Sequence, residues 1–321
     1  MKNLKWEEYK GRFFDIGEKK PENCVLKLAE QSDCMLPARE PVSHKYSYGR
    51  ALLIGGKTGY SGAPVLAANA CERSGAGLTQ LVVPDSIYAV AASRCDGAVV
   101  TPAQSDESGG FSAKALDTVL PLLTRADACV IGPGIGTGEG TGKLITEMIR
   151  KAECPLVLDA DALTYCGRNP EVLQNCRAPL ILTPHEGEFR KLGGNLSEGR
   201  LAGAQMFTAA HENIILILKG YGTLVGRDRA FTVNPTGGPA MAKGGSGDVL
   251  CGILCGLLSQ GFDTLFSSWT AVYLHGLAGD MAAAEVGEYS VTPSDLIRFL
   301  PKAFVKVHKI FDANLSEKLK L

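Results

Sequence analysis

The stretch that most constrains this chain runs from Asn234 to Gly261, NPTGGPAMAKGGSGDVLCGILCGLLSQG. Its first half carries Gly237, Gly238, Gly244, Gly245 and Gly247, so the backbone there can take positive φ and approach a ligand closely. From Val249 onward the pattern changes. Val249, Leu250, Ile253, Leu254, Leu257 and Leu258 recur at helical spacing, and Gly261 supplies a stop. A glycine loop running into a helix start gathers unpaired N–H groups at the positive end of the helix dipole, which suits a polyphosphate. Asp248 stands where loop becomes helix. An Asp at that position most often caps the helix. Beside bound phosphates, however, a carboxylate is repelled unless it works as a base, taking a proton from a hydroxyl that attacks phosphorus. The run of glycines just before Asp248 favours the base.

The chain around this stretch reads as repeated strand-then-helix units. Apolar runs at Arg50–Ile54, Leu78–Val83, Ala98–Thr101, Ala128–Ile131, Pro155–Leu158, Leu180–Leu182 and Asn213–Leu218 are the strand candidates. A short hairpin follows at 224–225 and 230–233. Helices are expected over 63–73, 112–124, 143–151, 268–285 and 295–309, and a short one over 22–32. The alternation implies a mostly parallel sheet flanked by helices. Residues 1–35 form an N-terminal extension in this reading, with one domain over 36–321. The chain has 321 residues, a net charge of −1 and no run of transmembrane length. That charge offers no general attraction to nucleic acid or acidic membranes. The first residues, MKNLKWEEYKGRFF, lack the apolar core of a signal peptide. Ten scattered cysteines without a CxxC pair suggest reduced core thiols, and the expectation is a cytoplasmic enzyme.

Polar and glycine-rich turns sit at the ends of these strands, where open α/β sheets bind ligands. Gly56-Lys57-Thr58 is not a phosphate loop, because the position five before Gly56 is Ala51 and an apolar strand lies between. GPGIGTGEGTG, after the strand at 128–131, alternates its glycines strictly and places Glu at 139, so a G-x-G-x-x-G reading fails. Asp159 and Asp161 close a buried strand and would either hold magnesium through water or cap the next helix. His185 stands in TPHEGE, where Phe189 breaks the zinc pattern H-E-x-x-H, which leaves the imidazole a binding role at most. Lys219 closes the strand before Gly220-Tyr221-Gly222-Thr223 and suits a nucleotide phosphate. Taken from the residues alone, the chain is an ADP- or ATP-using phosphoryl-transfer enzyme whose substrate presents a hydroxyl.

Several long motifs in order carry this further. They are SHKYSYGRALLIGG (43–56), GYSGAPVLAANACERSGAGL (59–78), IGPGIG (131–136), LDADAL (158–163), LTPHEGEF (182–189), LKGYGT (218–223), NPTGGPAMAKGGSGDVLCG (234–252) and HGLAGDMAA (275–283). From about Leu36 to Pro301 the chain resembles the ribokinase-like ADP/ATP-dependent NAD(P)H-hydrate dehydratases, which repair hydrated nicotinamide cofactors. Gly238, Ala240, Lys243 and Ser246 depart from the Asn, Gly, Thr and Thr usual in that family, and Lys243 would add charge beside the anion loop. The resemblance implies that Asp248 is the base and that Gly244, Gly245, Ser246 and Gly247 form the anion hole. It implies nucleotide contacts from Lys219, Gly220, Tyr221, Gly222, Thr223 and Gly247, and substrate contacts from Ala63, Gly136, His185 and Asp248. Magnesium and ADP, or alternatively ATP, would serve the reaction on NADH or NADPH hydrate, and a homotetramer is expected. The epimerase domain of bifunctional relatives is not expected, since only about 35 residues precede the match. A vitamin kinase of the same superfamily is the alternative.

Overall fold

The computed structural model of the chain describes residues 1–13 and 24–318, the side chains of 309–318 excepted. Eleven strands among them form one sheet: β1 (Lys2–Asn3), β2 (Val25–Leu28), β3 (Arg50–Ile54), β4 (Leu78–Pro84), β5 (Val99–Ala103), β6 (Ala128–Ile131), β7 (Leu156–Leu158), β8 (Leu180–Leu182), β9 (Ile214–Leu218), β10 (Leu224–Arg227) and β11 (Ala230–Val233). Their order is β1-β2-β11-β10-β9-β8-β7-β6-β3-β4-β5. From β9 to β5 every neighbouring pair is parallel. The hairpin β10–β11 pairs antiparallel, and β2 runs parallel to β11. The expected α/β sheet is therefore present.

Eleven helices accompany it: α1 (Trp6–Phe13), α2 (Gly62–Arg73), α3 (Tyr88–Ala92), α4 (Leu116–Leu123), α5 (Glu139–Lys151), α6 (Ala160–Arg168), α7 (Glu186–Lys191), α8 (Arg200–Ala209), α9 (Ser246–Ser259), α10 (Thr264–Val286) and α11 (Pro293–Lys318). They divide between the two faces because strand side chains alternate. Leu52, Ile54 and Val82 enter one core with Tyr9, Phe13, Val119, Leu144 and Leu163 from α1, α4, α5 and α6. Ala51, Leu53, Leu81 and Val83 enter the other with residues of α2, α9, α10 and α11. All ten cysteines are free thiols.

One expectation fails. The helix placed over 22–32 is a strand at Val25–Leu28, and Gln31–Cys34 is a 3₁₀ turn; residues 22 and 23 lie outside the described part. Leu26 and Leu28 point inward while Val25 and Lys27 do not, and this period of two matches a sheet edge rather than a helix. β2 and β1 thus widen the sheet beside the hairpin.

The chain order brings the site into register. β3 turns one way to β4 and β5, then the chain returns across β3 to β6. The loops after β3 and β6 diverge at this switch point and hold each other, with the Gly56 N–H donating to the Pro133 carbonyl at 2.8 Å. α9 is anchored beneath them by close approach to α2. A Cβ on Gly252 would lie 2.1 Å from the Ala67 carbonyl oxygen, and one on Gly256 would lie 2.7 Å from that of Cys71. The alanines of α2 therefore serve helix contact as much as sheet contact. Gly252→Ala must push the two helices apart, and we expect a loss of about 1–3 kcal/mol in denaturant unfolding; unchanged stability would refute the close contact.

Candidate active site

The carboxyl ends of β7, β8 and β9 and the start of α9 surround a cavity of about 900 Å³. Each strand delivers one charged or polar group to it: Asp159 follows β7, His185 follows β8 and Lys219 follows β9. The loop into α9 supplies Gly244 and Gly245 at the wall, and the first turn of α9 supplies Ser246, Gly247 and Asp248. Gly245 precedes α9 at φ 99°, where a side chain would be strained and would strike Pro293 and Leu66. The loop is held from within by the Ser246 hydroxyl, which donates to the Met241 carbonyl at 2.8 Å, and by the Ser246 N–H on the Lys243 carbonyl at 3.3 Å. The first amides of a helix have no carbonyl one turn back, so those flanking Ser246 are available to an anion in the cavity.

Below this loop lies a buried ion pair. Lys219 Nζ donates to Asp159 Oδ1 at 2.8 Å and approaches Glu188 Oε2 at 3.8 Å. The Thr183 hydroxyl donates to the same Asp159 oxygen at 2.7 Å. Burial by itself would raise the Asp159 pKa, but the Lys219 charge and these donors outweigh it and hold the carboxyl below its ordinary range. Burial would likewise lower Lys219, and Asp159 and Glu188 outweigh that and raise it. A Cβ on Gly247 would sit 3.3 Å from Lys219 Nζ, so the pair underlies the anion loop directly.

Asp248 is the exception among these carboxylates. Burial, then the Asp159 charge, push its pKa up to about 7, and Lys219 offsets this only in part. It therefore exchanges its proton near neutral pH, which suits a general base.

Residues 51–302 match the family described as NAD(P)H-hydrate dehydratase. The chain belongs to the NAD(P)H-hydrate dehydratase family. It is 39% identical over 271 residues to the bifunctional NAD(P)H-hydrate repair enzyme Nnr of Moorella thermoacetica, with 83% of this chain and 51% of that protein covered. It is 33% identical over 262 residues to the ADP-dependent (S)-NAD(P)H-hydrate dehydratase of Lactiplantibacillus plantarum, covering 81% of this chain and 89% of that one. The chain thus spans about half the length of the bifunctional relatives. Its fold is similar to that of the ADP/ATP-dependent NAD(P)H-hydrate dehydratase from Bacillus subtilis co-crystallized with ATP/Mg2+, at 28% identity and a TM-score of 0.68 over 90% of this chain and 100% of that one. A ribokinase-like superfamily protein from Enterococcus faecalis superposes with a TM-score of 0.79 at 27% identity, over 91% of this chain and 99% of that one.

The structure of this dehydratase-family chain gathers most of the residues singled out in the sequence. Asp248, Gly244–Gly247, Lys219, Gly220, Tyr221, Thr223 and His185 all line the cavity. Gly222 does not; it turns at φ 62° with its α-carbon against Phe13. Ala63 and Gly136 lie beside the cavity rather than on its wall. Gly134 approaches Ala63, and the Gly136 N–H donates to Asp161 Oδ2 at 2.9 Å. The segment Asp159-Ala160-Asp161 therefore joins the two halves, with Ala160 at φ 50° in a conformation rare for a residue with a Cβ.

Other assignments change. Asp159 precedes α6, yet its side chain makes no cap bond and instead pairs with Lys219. His185 is the residue that caps: its Nδ1 accepts from the Gly187 and Glu188 N–H groups, leaving Nε2 to carry any proton. Lys243 lines the cavity beside the glycine loop, and its ammonium donates to the Tyr289 carbonyl at 2.7 Å. His275 escaped sequence reasoning altogether, although its HGLAGD motif was visible. Burial lowers its pKa to about 4, and its Nε2 has no hydrogen-bond partner among the described residues.

Asp248 carries a stability consequence. Its folded pKa lies above its unfolded value of 3.8, so stability is fullest below 3.8 and is lost as pH rises toward about 7. Asp248→Asn should unfold at higher denaturant than the parent near pH 8, by on the order of 2 kcal/mol, with that advantage vanishing near pH 4. An equal difference at both pH values would contradict the desolvated carboxylate.

Proposed function

We propose that the chain is an ADP-dependent dehydratase acting on hydrated NADH or NADPH. The observation that carries the reading is Asp248, a base with a pKa of about 7 at the mouth of a glycine-lined helix start, in a chain of the dehydratase family. Asp248 takes the proton of the ring hydroxyl as that oxygen attacks the terminal phosphorus of ADP. The bond to the bridging oxygen breaks, and AMP leaves. Amides of Gly244, Gly245 and Gly247 stabilise the oxygens of the transferring phosphoryl group. The ring nitrogen's lone pair then expels phosphate, a far better leaving group than hydroxide, and the iminium so formed loses a proton from the adjacent ring carbon to restore the reduced nicotinamide. The products are NAD(P)H, AMP and phosphate, with one proton released.

Residues 219–223 would hold the nucleotide through their backbone and Tyr221, since the Lys219 ammonium is engaged below them. The hydrated ring would enter from the Ala63–Gly136 side and meet His185 and Asp248. The described residues contain no cluster of three metal-ligating side chains. A magnesium ion would be held mostly by the nucleotide phosphates and water, and would supply charge neutralisation on those phosphates. ADP is preferred as donor on the similarity to the ADP-dependent relative, with ATP the alternative because the Bacillus subtilis relative is named for both.

The test is recovery of reduced nicotinamide absorbance from hydrated NADH with ADP or ATP in parallel. We expect recovery with ADP, and a fall of about 10²–10⁴-fold in kcat for Asp248→Asn. A stable phosphorylated product without recovery would overturn the dehydratase in favour of a kinase. The activity should also rise with pH to a plateau, with its midpoint near the Asp248 value of about 7. Asp159→Asn removes a like charge and should move that midpoint down; no movement would show that Asp159 does not act on the base.

A further inference from the structure

The match to the dehydratase family begins at residue 51, yet the chain before it reaches the rim of the cavity. Trp6, Tyr9 and Phe13 recur on one face of α1 at helical spacing. Tyr9 and Phe13 are buried in the core on that side of the sheet, and Trp6 packs against it. Their rings form a ladder: Trp6 to Tyr9 at 5.4 Å, Tyr9 to Phe13 at 6.2 Å, and Phe13 to Tyr221 at 5.7 Å between centroids. The last step leaves the core. Tyr221 is 64% exposed and lines the cavity.

The loop that carries Tyr221 is held from two sides. Arg200 of α8 donates to the Tyr221 carbonyl at 2.6 Å and to the Leu218 carbonyl at 3.0 Å. Phe13 fills the space under Gly222, where a Cβ would lie 2.6 Å from the Phe13 ring. Arg200 fixes the backbone, and among the described residues the Phe13 ring lies beside the ring of Tyr221, with 45° between their planes. α1 cannot drift from this place, because the strands on either side of it join the sheet: the Leu4 N–H donates to Leu26, and β2 pairs with β11, which leads into the glycine stretch at Asn234. An exposed aromatic face on the wall of a phosphate-binding cavity is a stacking surface for a nucleobase.

We propose that Phe13 is a positioning residue for the phosphoryl donor: it holds Tyr221 as the stacking face for the purine base, so that the N-terminal helix sets nucleotide affinity. This rests on the nucleotide reading of residues 219–223. Phe13 touches neither substrate nor the reacting atoms; it acts through Tyr221.

The experiment is direct calorimetric binding of ADP and of pyrophosphate to the full chain, without turnover. Tyr221→Ala is expected to weaken ADP by roughly tenfold, in line with loss of one base–aromatic contact. Phe13→Ala is expected to weaken ADP by roughly three- to tenfold while pyrophosphate, which has no base, binds as before. In the Tyr221→Ala background Phe13→Ala should add nothing, because its effect passes through that ring. Phe13→Tyr should restore ADP binding. If Phe13→Ala does not fold, Phe13→Leu keeps the apolar volume without the ring and takes its place in the same comparisons. Wild-type affinity for ADP in the folded variant, equal losses for ADP and pyrophosphate, or additive losses in the double variant would each overturn the proposal. A parent chain that binds no ADP overturns it as well. Binding of ADP without recovery of reduced nicotinamide removes the dehydratase reaction and leaves this proposal to stand on the binding comparisons.

Discussion

The pairing of Lys219 with Asp159 is the interaction on which the site depends. Two unit charges are largely taken out of water at the ends of two strands of one sheet, and each is tolerable because the other is 2.8 Å away. The pair fastens the end of β9 to the end of β7 across β8. It also underlies Gly247, the position where α9 begins to present its amides to the cavity. A Cβ at 247 would stand 3.3 Å from the ammonium, which would have to give way slightly. Thus the glycine answers to the lysine beneath it as much as to a ligand above.

The same pair accounts for the state of Asp248. Three carboxylates face this region, but one ammonium cannot satisfy all of them. Asp159 takes the direct bond and Glu188 takes the weaker approach at 3.8 Å, while its other contacts bind it to the His185 N–H. Asp248 is left with burial and a like charge nearby, and both favour its protonated form. The raised pKa of Asp248 therefore follows from an ammonium that is already engaged elsewhere. The cost is stability at neutral pH, and it falls on α9, which meets α2 without room for a Cβ at Gly252.

The sequence shows some of this plainly and hides the rest for a physical reason. The parallel sheet was legible because β3, β6, β7, β8 and β9 are short runs of uninterrupted apolar residues ending in glycine or polar turns. The place of the glycine loop and Asp248 on one cavity wall was legible because the signal is local: five glycines and an acid lie within a dozen residues. The ion pair was not, since Asp159 and Lys219 stand sixty residues apart and only strand order makes them neighbours. Seen singly, Asp159 resembled a cap or a magnesium ligand and Lys219 a phosphate ligand. The cap was His185 instead, a residue type that sequence rules do not favour there. The edge strand β2 was misread because four residues give too short a sample to separate a period of two from a helical turn.

Long-range pairing also explains why the N-terminal residues reach the rim of the cavity. Sheets with twisted parallel centres end in edges whose N–H and C=O groups need cover. Here the hairpin β10–β11 would be such an edge, and β2 covers it in parallel. That covering strand fixes where α1 must lie, and α1 carries its aromatic face to the underside of the loop after β9. A requirement of the sheet edge, satisfied by residues with no chemistry of their own, thereby places Phe13 against Tyr221. The loop at 219–223 is held by Arg200 above and by an aromatic core below. Its geometry follows from how the sheet edge beside it is covered.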